Sequence, residues 1–253
     1  MNVAGLTAVG LVRSHNEDTI FSTTNQSGPL PNLFIVADGM GGHNAGEVAS
    51  AKSLEYFNEF ILKTNHEVFA SVTHDDIVPL LVAAVNHANN RVYGHSLDDP
   101  GLSGMGTTFS ACAVVGDKLA VAHIGDSRIY IIKNGEITQI TTDHTYVAEM
   151  VQAGHLTPAD AKTHPSRNQL TRVLGCPPPI DVDGAIYALS GVNTVLLCTD
   201  GLTDMLSDEE ILNIARQNTP PLARVQALID AANNNGGIDN ISAIIIDVKG
   251  ETN

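Results

Sequence analysis

The sequence has few of the features that stabilise an extracellular protein or anchor a membrane protein. Its three cysteines, Cys112, Cys176 and Cys198, are an odd number and form no CxxC pair. This pattern argues against a disulfide framework and a zinc site, and we expect Cys112 and Cys198 to be buried core residues. No apolar run reaches the roughly 18 residues of a membrane span, and the N-terminus lacks the features of a signal peptide. We therefore expect cytoplasmic residence and no membrane partner.

Basic residues are also scarce. The chain has 13 lysines and arginines against 28 aspartates and glutamates, for a formal net charge of −15, and the basic residues form no cluster. Nucleic-acid binding requires basic groups that neutralise phosphates, so no nucleic-acid partner is expected. The acidic excess has two compatible interpretations: a solvated surface, and carboxylates that bind cations.

Apolar residues are plentiful enough for a large core. They make up 43% of 253 residues, which suits one large β or α/β domain or two small ones. Short apolar runs divided by turns such as Asn134-Gly135 indicate an antiparallel meander, and flanking helical patterns make the fold α+β. The predicted strands are Val3–Val12, Leu33–Ala37, Thr108–Val115, Lys118–Ile124, Arg128–Lys133, Glu136–Thr141, Thr194–Thr199 and Ile241–Val248, and the main predicted helices are Val48–Ile61, Asp76–Tyr93, Tyr146–Ala153, Asp208–Gln217 and Pro221–Asn233.

Four aspartates stand where apolar, strand-like runs meet turns: Asp38, Asp126, Asp200 and Asp239. One such aspartate is more often a turn former or a helix cap. Four of them, from distant segments, predict one acidic site at the edge of a sheet. Mg²⁺ and Mn²⁺ prefer oxygen ligands, and clustered carboxylates repel one another unless a cation or a proton is present. The carbonyl of Gly39 could also reach a cation, because no side chain stands in the way.

Two further segments carry candidate catalytic groups. Arg13 could bind phosphate oxygens through its planar guanidinium, and Glu17 and Asp18 could hold metal-bound waters. Taken without the rest of the chain, this segment is slightly better explained as an ordinary charged loop. His43 follows a glycine-rich turn and is a candidate proton donor. His123 lies within an apolar strand, so we expect a packed core residue there.

Other hydrolytic schemes find no support. No cysteine is followed by arginine six positions later, and no GxSxG segment is present. The segment Asp181–Gly184 faintly resembles an aspartyl-phosphate motif, but it follows three prolines rather than a buried strand. A metal-bound water is therefore the favoured nucleophile.

Seven ordered segments resemble the motif set of the metal-dependent serine/threonine phosphatases of the 2C type, in their bacterial single-domain form. They extend from Thr7 to Ser242, which is nearly the whole chain. The segments are TAVGLVRSHNED, VADGMGGHNAGEVAS, MGTT, HIGDSRIY, HPSRNQLTRVLG, LCTDGLTD and GGIDNIS.

The resemblance implies a fold and an architecture. The fold would be a central antiparallel β-sandwich flanked by helices on both sides, in α-β-β-α layers. Residues 1–253 would form a single catalytic domain that includes a flap subdomain at about 143–183. The protein would be a monomer that acts on phosphorylated proteins.

The resemblance also implies a metal centre with two Mn²⁺ or Mg²⁺ ions and a third, weaker site. By motif position, Asp38 would bridge the two ions and Gly39 would offer its carbonyl. Asp200 and Asp239 would complete the second site. Asp18 would act through water, and Asp126, with Asp200 and Asp204, would hold the third ion.

The implied reaction is direct hydrolysis of phosphoserine or phosphothreonine. A hydroxide bridging the metals would attack phosphorus, Arg13 would hold the phosphate, and His43 would protonate the leaving oxygen. The flap residues His164, Arg167 and Arg172 could be structural or catalytic, and local charge pairing favours the structural role. Two alternatives are a non-catalytic binding module with the same fold and a metallohydrolase for small phosphate esters.

Overall fold

The computed structural model of the protein describes residues 1–42, 45–64 and 74–248. Two antiparallel sheets pack face to face between two helical layers, which confirms the predicted α+β sandwich. The strands are β1 Asn2–Ala8, β2 Asp18–Thr23, β3 Leu33–Met40, β4 Gly106–Thr107, β5 Phe109–Val115, β6 Lys118–Ile124, β7 Arg128–Lys133, β8 Glu136–Gln139, β9 Asp183–Ala188, β10 Val192–Cys198 and β11 Ile241–Asp247.

The first sheet has the order β1-β11-β10-β7-β8, and the second has the order β2-β3-β5-β6-β9 with the short β4 on β3. Every pairing within them is antiparallel. The β7–β8 hairpin turns at Asn134 and Gly135, whose φ angles are 54° and 82°. Positive φ at both positions is what a two-residue hairpin turn requires, and these two residue types tolerate it.

The helices are α1 Ala45–Lys63, α2 His74–Asp98, α3 Tyr146–Gln152, α4 Pro158–Thr163, α5 Asp200–Thr203, α6 Asp208–Ala215 and α7 Pro221–Asn234. The pair α1 and α2 covers the second sheet, while α6 and α7 cover the first. A capping box between Ser207 and Glu210 begins α6, and Pro221 occupies the first turn of α7, where a missing N–H costs nothing.

Side-chain alternation along the strands divides the apolar residues among three cores. In β3, Phe34 and Val36 point between the sheets, while Ile35 and Ala37 point toward the helices. The period of two in a strand produces this division. Cys112 and Cys198 are fully buried, as expected.

Three strands were not anticipated from the sequence: the two-residue β4 and the edge strands β2 and β9. Both β2 and β9 lie at the edges of the second sheet, where their residues are partly exposed and their sequences lack a continuous apolar run. The first strand is also shorter than predicted, since β1 ends at Ala8 and residues 9–17 form a loop. Asp38 does not end its strand, because β3 continues to Met40.

Candidate metal centre

The between-sheet layer changes from apolar to polar at one end of the sandwich. Continuing the alternation of β3 beyond Phe34 and Val36 puts Asp38 on the between-sheet face, and the same period puts Asp18 there, two residues before Ile20. Asp18 lies directly opposite Asp38 in the β2–β3 pair. Like charges in that position repel, so this pair requires a proton or a cation.

Asp18 is held firmly by hydroxyl groups from the other sheet. Its Oδ2 accepts hydrogen bonds from Thr199 Oγ1 at 2.9 Å and from Ser242 Oγ at 2.6 Å. Burial raises the pKa of Asp18 to about 7, although these two hydrogen bonds lower it. The charges of Asp200 and Asp239 raise it further. Its Oδ1 is buried and meets no hydrogen-bond donor among the residues that the structure describes.

Asp38 and Asp200 form a second carboxyl pair across the two sheets. Burial raises the pKa of Asp38 well above its usual value, and the charges of Asp18, Asp200 and Asp126 raise it further. The interaction between the two carboxyl groups raises the pKa of Asp38 and lowers that of Asp200. Burial, followed by the charges of Asp204 and Asp239, raises the pKa of Asp200 to about 6. Within the described part of the chain, Oδ1 of Asp200 is likewise buried without a donor.

Two glycines allow the backbone to approach this site closely. A Cβ atom on Gly39 would lie 2.0 Å from the carbonyl oxygen of Gly46, at the start of α1. A Cβ atom on Gly201 would lie 2.0 Å from the carbonyl oxygen of Asn240 and 3.3 Å from the Cβ of Asp239. Only glycine fits at either position. The second contact is what brings α5, with Asp200 at its first residue, beside Asp239.

Arg13 and Asp239 form an ion pair at the rim of the site. Arg13 Nη2 donates to Asp239 Oδ2 at 2.7 Å, and the two side chains are 49% and 29% exposed. This hydrogen bond is the main reason why the pKa of Arg13 is raised. Asn240 Nδ2 ties the two loops together by donating to the carbonyls of Val9 and His15, each at 2.9 Å.

Asp126 lies in the β6–β7 turn, which hydroxyl groups connect to Asp38. Thr108 Oγ1 accepts a hydrogen bond from the Asp38 N–H at 2.9 Å and lies 2.7 Å from Ser127 Oγ. Burial raises the pKa of Asp126, and the charges of Asp200 and Asp143 raise it further. Asp126 therefore belongs to the same electrostatic cluster as Asp200.

The predicted flap is attached to the sandwich by charge pairs at both of its ends. Arg128 makes a bidentate contact with Asp143, with a shortest distance of 2.7 Å. Arg172 donates to Asp183 at 2.9 Å and to Asp181 at 3.0 Å. His164 Nδ1 accepts from the Ser166 N–H within the flap. These local contacts agree with structural roles for Arg172 and His164.

His144 links the flap to the Asp126 turn. Its backbone N–H donates to the Gly125 carbonyl at 2.8 Å, and the Gly125 N–H donates to His144 Nδ1 at 3.0 Å. The neutral ring then carries its proton on Nε2 and donates it in a hydrogen bond to Asp183 at 3.2 Å.

His123, which is 1% exposed, forms hydrogen bonds with Ser110 and with the Thr142 carbonyl. It is the packed core residue that its strand predicted.

The structure brings most of the sequence-predicted acidic residues together and shows which hydroxyl groups orient them. The charges of Asp18, Asp38, Asp126, Asp200 and Asp239 act on one another. His43 lies outside the described residues. The hydroxyl groups that orient these carboxylates were missed by the sequence reasoning, although polar residues at the ends of apolar strands were a usable signal. They are Thr108, Ser127, Thr199 and Ser242.

The acidic residues fit divalent cations that retain part of their water shell. Across residues 1–42, 45–64 and 74–248, no group of three or more acidic, histidine or cysteine side chains is arranged so that it could hold a metal ion by itself. Mg²⁺ commonly binds through one or two carboxylates and several waters, so a complete protein cage is not required. The donor-free oxygens of Asp18 and Asp200 and the raised pKa of Asp38 are what buried carboxyl groups without a neighbouring positive charge produce. A hard cation would supply that charge.

Solved structures similar to this chain define its class. The Streptococcus agalactiae serine/threonine phosphatase has a TM-score of 0.88 and 35% identity, with 98% of this chain and 99% of that chain covered. The catalytic domain of the serine/threonine protein phosphatase PstP, solved with two manganese ions, has a TM-score of 0.80 and 34% identity, with 97% of each chain covered. Both are phosphatases, and both share the fold along nearly their whole length.

Sequence comparison assigns the family. A family model described as protein phosphatase 2C matches residues 12–235. A putative protein phosphatase 2C-type protein of Streptococcus pyogenes serotype M6 is 35% identical over 253 residues, with 99% of both sequences covered. The chain belongs to the protein phosphatase 2C family, whose members are metal-dependent serine/threonine protein phosphatases. Its substrates are accordingly phosphorylated proteins, and divalent metal use is a property of the family.

No helix in the described part of the chain is long and apolar enough to cross a membrane. Cytoplasmic residence, the monomeric state and the absence of a nucleic-acid partner stay predictions of the sequence.

Proposed function

We propose that this phosphatase uses two divalent cations, Mn²⁺ or Mg²⁺, to hydrolyse phosphoserine and phosphothreonine in proteins. The observation that carries the proposal is the cluster of buried, mutually repelling carboxyl groups that includes Asp18, Asp38 and Asp200. Such a cluster is costly unless cations bind to it. A third, weaker ion would bind near Asp126, whose charge acts on the same group.

The roles of the carboxylates follow from their positions. The charges of Asp18, Asp200 and Asp126 all act on Asp38, which supports a ligand shared by both ions, with the Gly39 carbonyl as a further ligand. Asp200 and Asp239 are neighbours through the Gly201 contact and would hold the second ion. Asp18, fixed by two hydroxyl groups, would orient water. When bound, the cations offset the carboxylate charge and lower the pKa of water, so that a nucleophile is available near neutral pH.

Arg13 would bind the substrate phosphate. Its guanidinium carries five N–H donors, is half exposed and is kept at the rim of the acidic site by Asp239. It therefore offers positive charge where a phosphate dianion must approach a group of carboxylates. His43 would protonate the departing seryl or threonyl oxygen, a role that rests on its sequence motif alone.

Residues 1–253 would act as one catalytic domain, with the flap at about 143–183 beside the site. Burial raises the pKa of Asp204, which lies one turn after Asp200, and the positive charge of Arg167 lowers it. This electrostatic contact supports a flap that lies near the acidic site and contributes to its charge balance.

The test is a hydrolysis assay with Mn²⁺ on matched peptides that contain phosphoserine, phosphothreonine or phosphotyrosine. The parent is expected to hydrolyse the first two, and Asp38→Ala and Asp239→Asn should lower kcat by about 100-fold or more, since each removes a cation ligand. Arg13→Ala should mainly raise KM, because it removes phosphate binding. The exposed Asp230 on α7 supplies a matched control, and Asp230→Asn should retain parent activity.

Three outcomes would overturn the proposal. Parent activity in Asp38→Ala or Asp239→Asn would exclude the metal-centre assignment. A parent that binds a phosphopeptide but hydrolyses none would be a binding module. A parent that hydrolyses free phosphoserine or pyrophosphate with higher kcat/KM than any peptide would be a small-ester hydrolase.

A further inference from the structure

Exposed apolar side chains concentrate in two neighbouring loops. Among the described residues, nine large apolar side chains are exposed, and four of them are Val9, Leu11, Val12 and Ile238, at 38%, 68%, 67% and 44%. Single exposed apolar residues are normal on a protein surface, whereas a local concentration of them marks an interaction site. The other five are dispersed over four helices and one edge strand: Leu62, Leu97, Tyr146, Ile186 and Leu222.

Backbone contacts make these two loops a single surface, which we call the rim patch and define as the side chains of Val9, Leu11, Val12 and Ile238. The Leu11 N–H donates to the Gly237 carbonyl at 2.7 Å. A Cβ atom on Gly10, which has φ of 81°, would lie 2.1 Å from the carbonyl oxygen of Asp239. The loops are therefore in close backbone contact, and the rim patch is held in place without burying its own side chains.

The rim patch borders the Arg13–Asp239 ion pair from both loops. Val12 directly precedes Arg13, and Ile238 directly precedes Asp239. The side chains of this pair meet at 2.7 Å. Successive Cα atoms are about 3.8 Å apart in any peptide, so Val12 and Ile238 each lie one residue from the ion pair that a substrate phosphate would approach.

Electrostatics argues against acidic side chains at those adjacent positions. The protein has a net charge of −15, and the acidic cluster lies beside the rim patch. Acidic residues next to the phosphosite would add repulsion, while apolar residues would gain from contact with the exposed leucine and valine side chains. The side chains that the rim patch exposes are all apolar, so an apolar flank is the complement of this surface.

We propose that the rim patch binds apolar side chains adjacent to the phosphorylated serine or threonine of a protein substrate, and so directs this phosphatase to phosphosites with aliphatic or aromatic flanks. This inference rests on the proposed function and specifies its substrate class. The substitution that tests it is Leu11→Ser, because Leu11 is the most exposed member of the patch and its backbone hydrogen bond does not depend on the side chain.

Two phosphothreonine peptides of equal charge serve as substrates, one with leucine and phenylalanine beside the phosphosite and one with serine and glutamine. The parent is expected to favour the apolar peptide. Leu11→Ser should lower kcat/KM for that peptide about five- to tenfold through KM, as expected from losing contact with part of one leucine side chain. Its kcat/KM for the polar peptide should stay within about twofold of the parent.

The chain offers a matched control in Leu62, which is 64% exposed. It lies near the end of α1, and the start of that helix packs at Gly39. At 1.5 Å per residue, the helix separates the two ends by about 25 Å. Leu62→Ser should therefore behave like the parent on both peptides.

Each remaining outcome decides against the rim patch or against the proposed function. An equal loss on both peptides for Leu11→Ser would mean that Leu11 only supports the loop. A parent without a preference would overturn the inference, as would a parent that dimerises through Leu11 in sedimentation experiments. A parent that hydrolyses neither peptide would instead contradict the proposed function itself.

Discussion

Binding of Mn²⁺ to the metal-free protein should release protons near neutral pH. Cations bind ionised carboxylates, whereas burial holds the pKa of Asp18 at about 7 and that of Asp200 at about 6. Burial also raises the pKa of Asp38 well above its usual value. In the experiment, the metal-free protein is titrated with Mn²⁺ at pH 6.5 and again at pH 8.5.

The magnitude follows from these pKa values. At pH 6.5, a group with a pKa of 7 is about three-quarters protonated and one with a pKa of 6 is about one-quarter protonated. Asp18 and Asp200 together should therefore release about one proton per protein, to which Asp38 adds its share. At pH 8.5 the first two contribute less than about a tenth of a proton, so the release becomes smaller and the apparent affinity higher.

The same pKa values set the pH dependence of stability. The folded-state pKa of each of these aspartates is raised above its unfolded value. Their protonated forms therefore contribute stability to the metal-free protein that is complete below the unfolded pKa of about 4. This contribution is lost as the pH rises, up to about 6 for Asp200 and about 7 for Asp18. Mn²⁺ should restore stability most strongly above that range.

Calorimetry in two buffers of different ionisation enthalpy measures the proton release. Asp18→Asn should release about three-quarters of a proton fewer at pH 6.5, while Asp230→Asn, on the exposed face of α7, should match the parent. Equal heats in the two buffers at pH 6.5 would show that no proton leaves, and would refute the burial argument for the whole cluster.

Two further predictions concern groups away from the metal centre. Arg224 is 5% exposed and donates to the Ala215 carbonyl at 2.7 Å and to Asp247 at 2.5 Å. Arg224→Ala should lower the free energy of unfolding by about 3 kcal/mol in urea titrations, and a loss below about 1 kcal/mol would contradict the role of this ion pair. Burial and His144 lower the pKa of His123 to about 4. Because this folded-state pKa is depressed, the neutral ring contributes stability that is complete above pH 6.5 and falls by about 3 kcal/mol as the pH approaches 4. His123→Gln should remove that part of the acid sensitivity, and unfolding curves that shift in parallel with pH in parent and variant would argue against it.

The sequence predicted the central strands well and the edge strands of the second sheet poorly. Strands such as β3 and β6 are continuous apolar runs, because helices cover one face and the opposing sheet covers the other. The edge strands β2 and β9 were missed because their residues are partly exposed. The antiparallel meander also gave no indication of which strands would form which sheet, since sheet order depends on pairing between distant segments.

The candidate site shows the same division. Four strand-end aspartates and Arg13 were identifiable from residue type and from the turns beside them. The pairing of Asp18 with Asp38 required the β2–β3 register, and the support of Asp18 by Ser242 required the packing of one sheet on the other. In the sequence, nothing indicates either contact except a polar residue at the end of a strand.

By itself, the sequence determined which residues could bind a cation or a phosphate, and its ordered motifs indicated the family. Only the tertiary structure decided how strongly the carboxyl groups interact, which of their oxygens lack a donor, and that the loop of Leu11 and Arg13 meets the loop of Ile238 and Asp239. The physical reason is that chemical type belongs to each residue, whereas pKa, repulsion and exposure depend on neighbours that folding brings from distant parts of the chain.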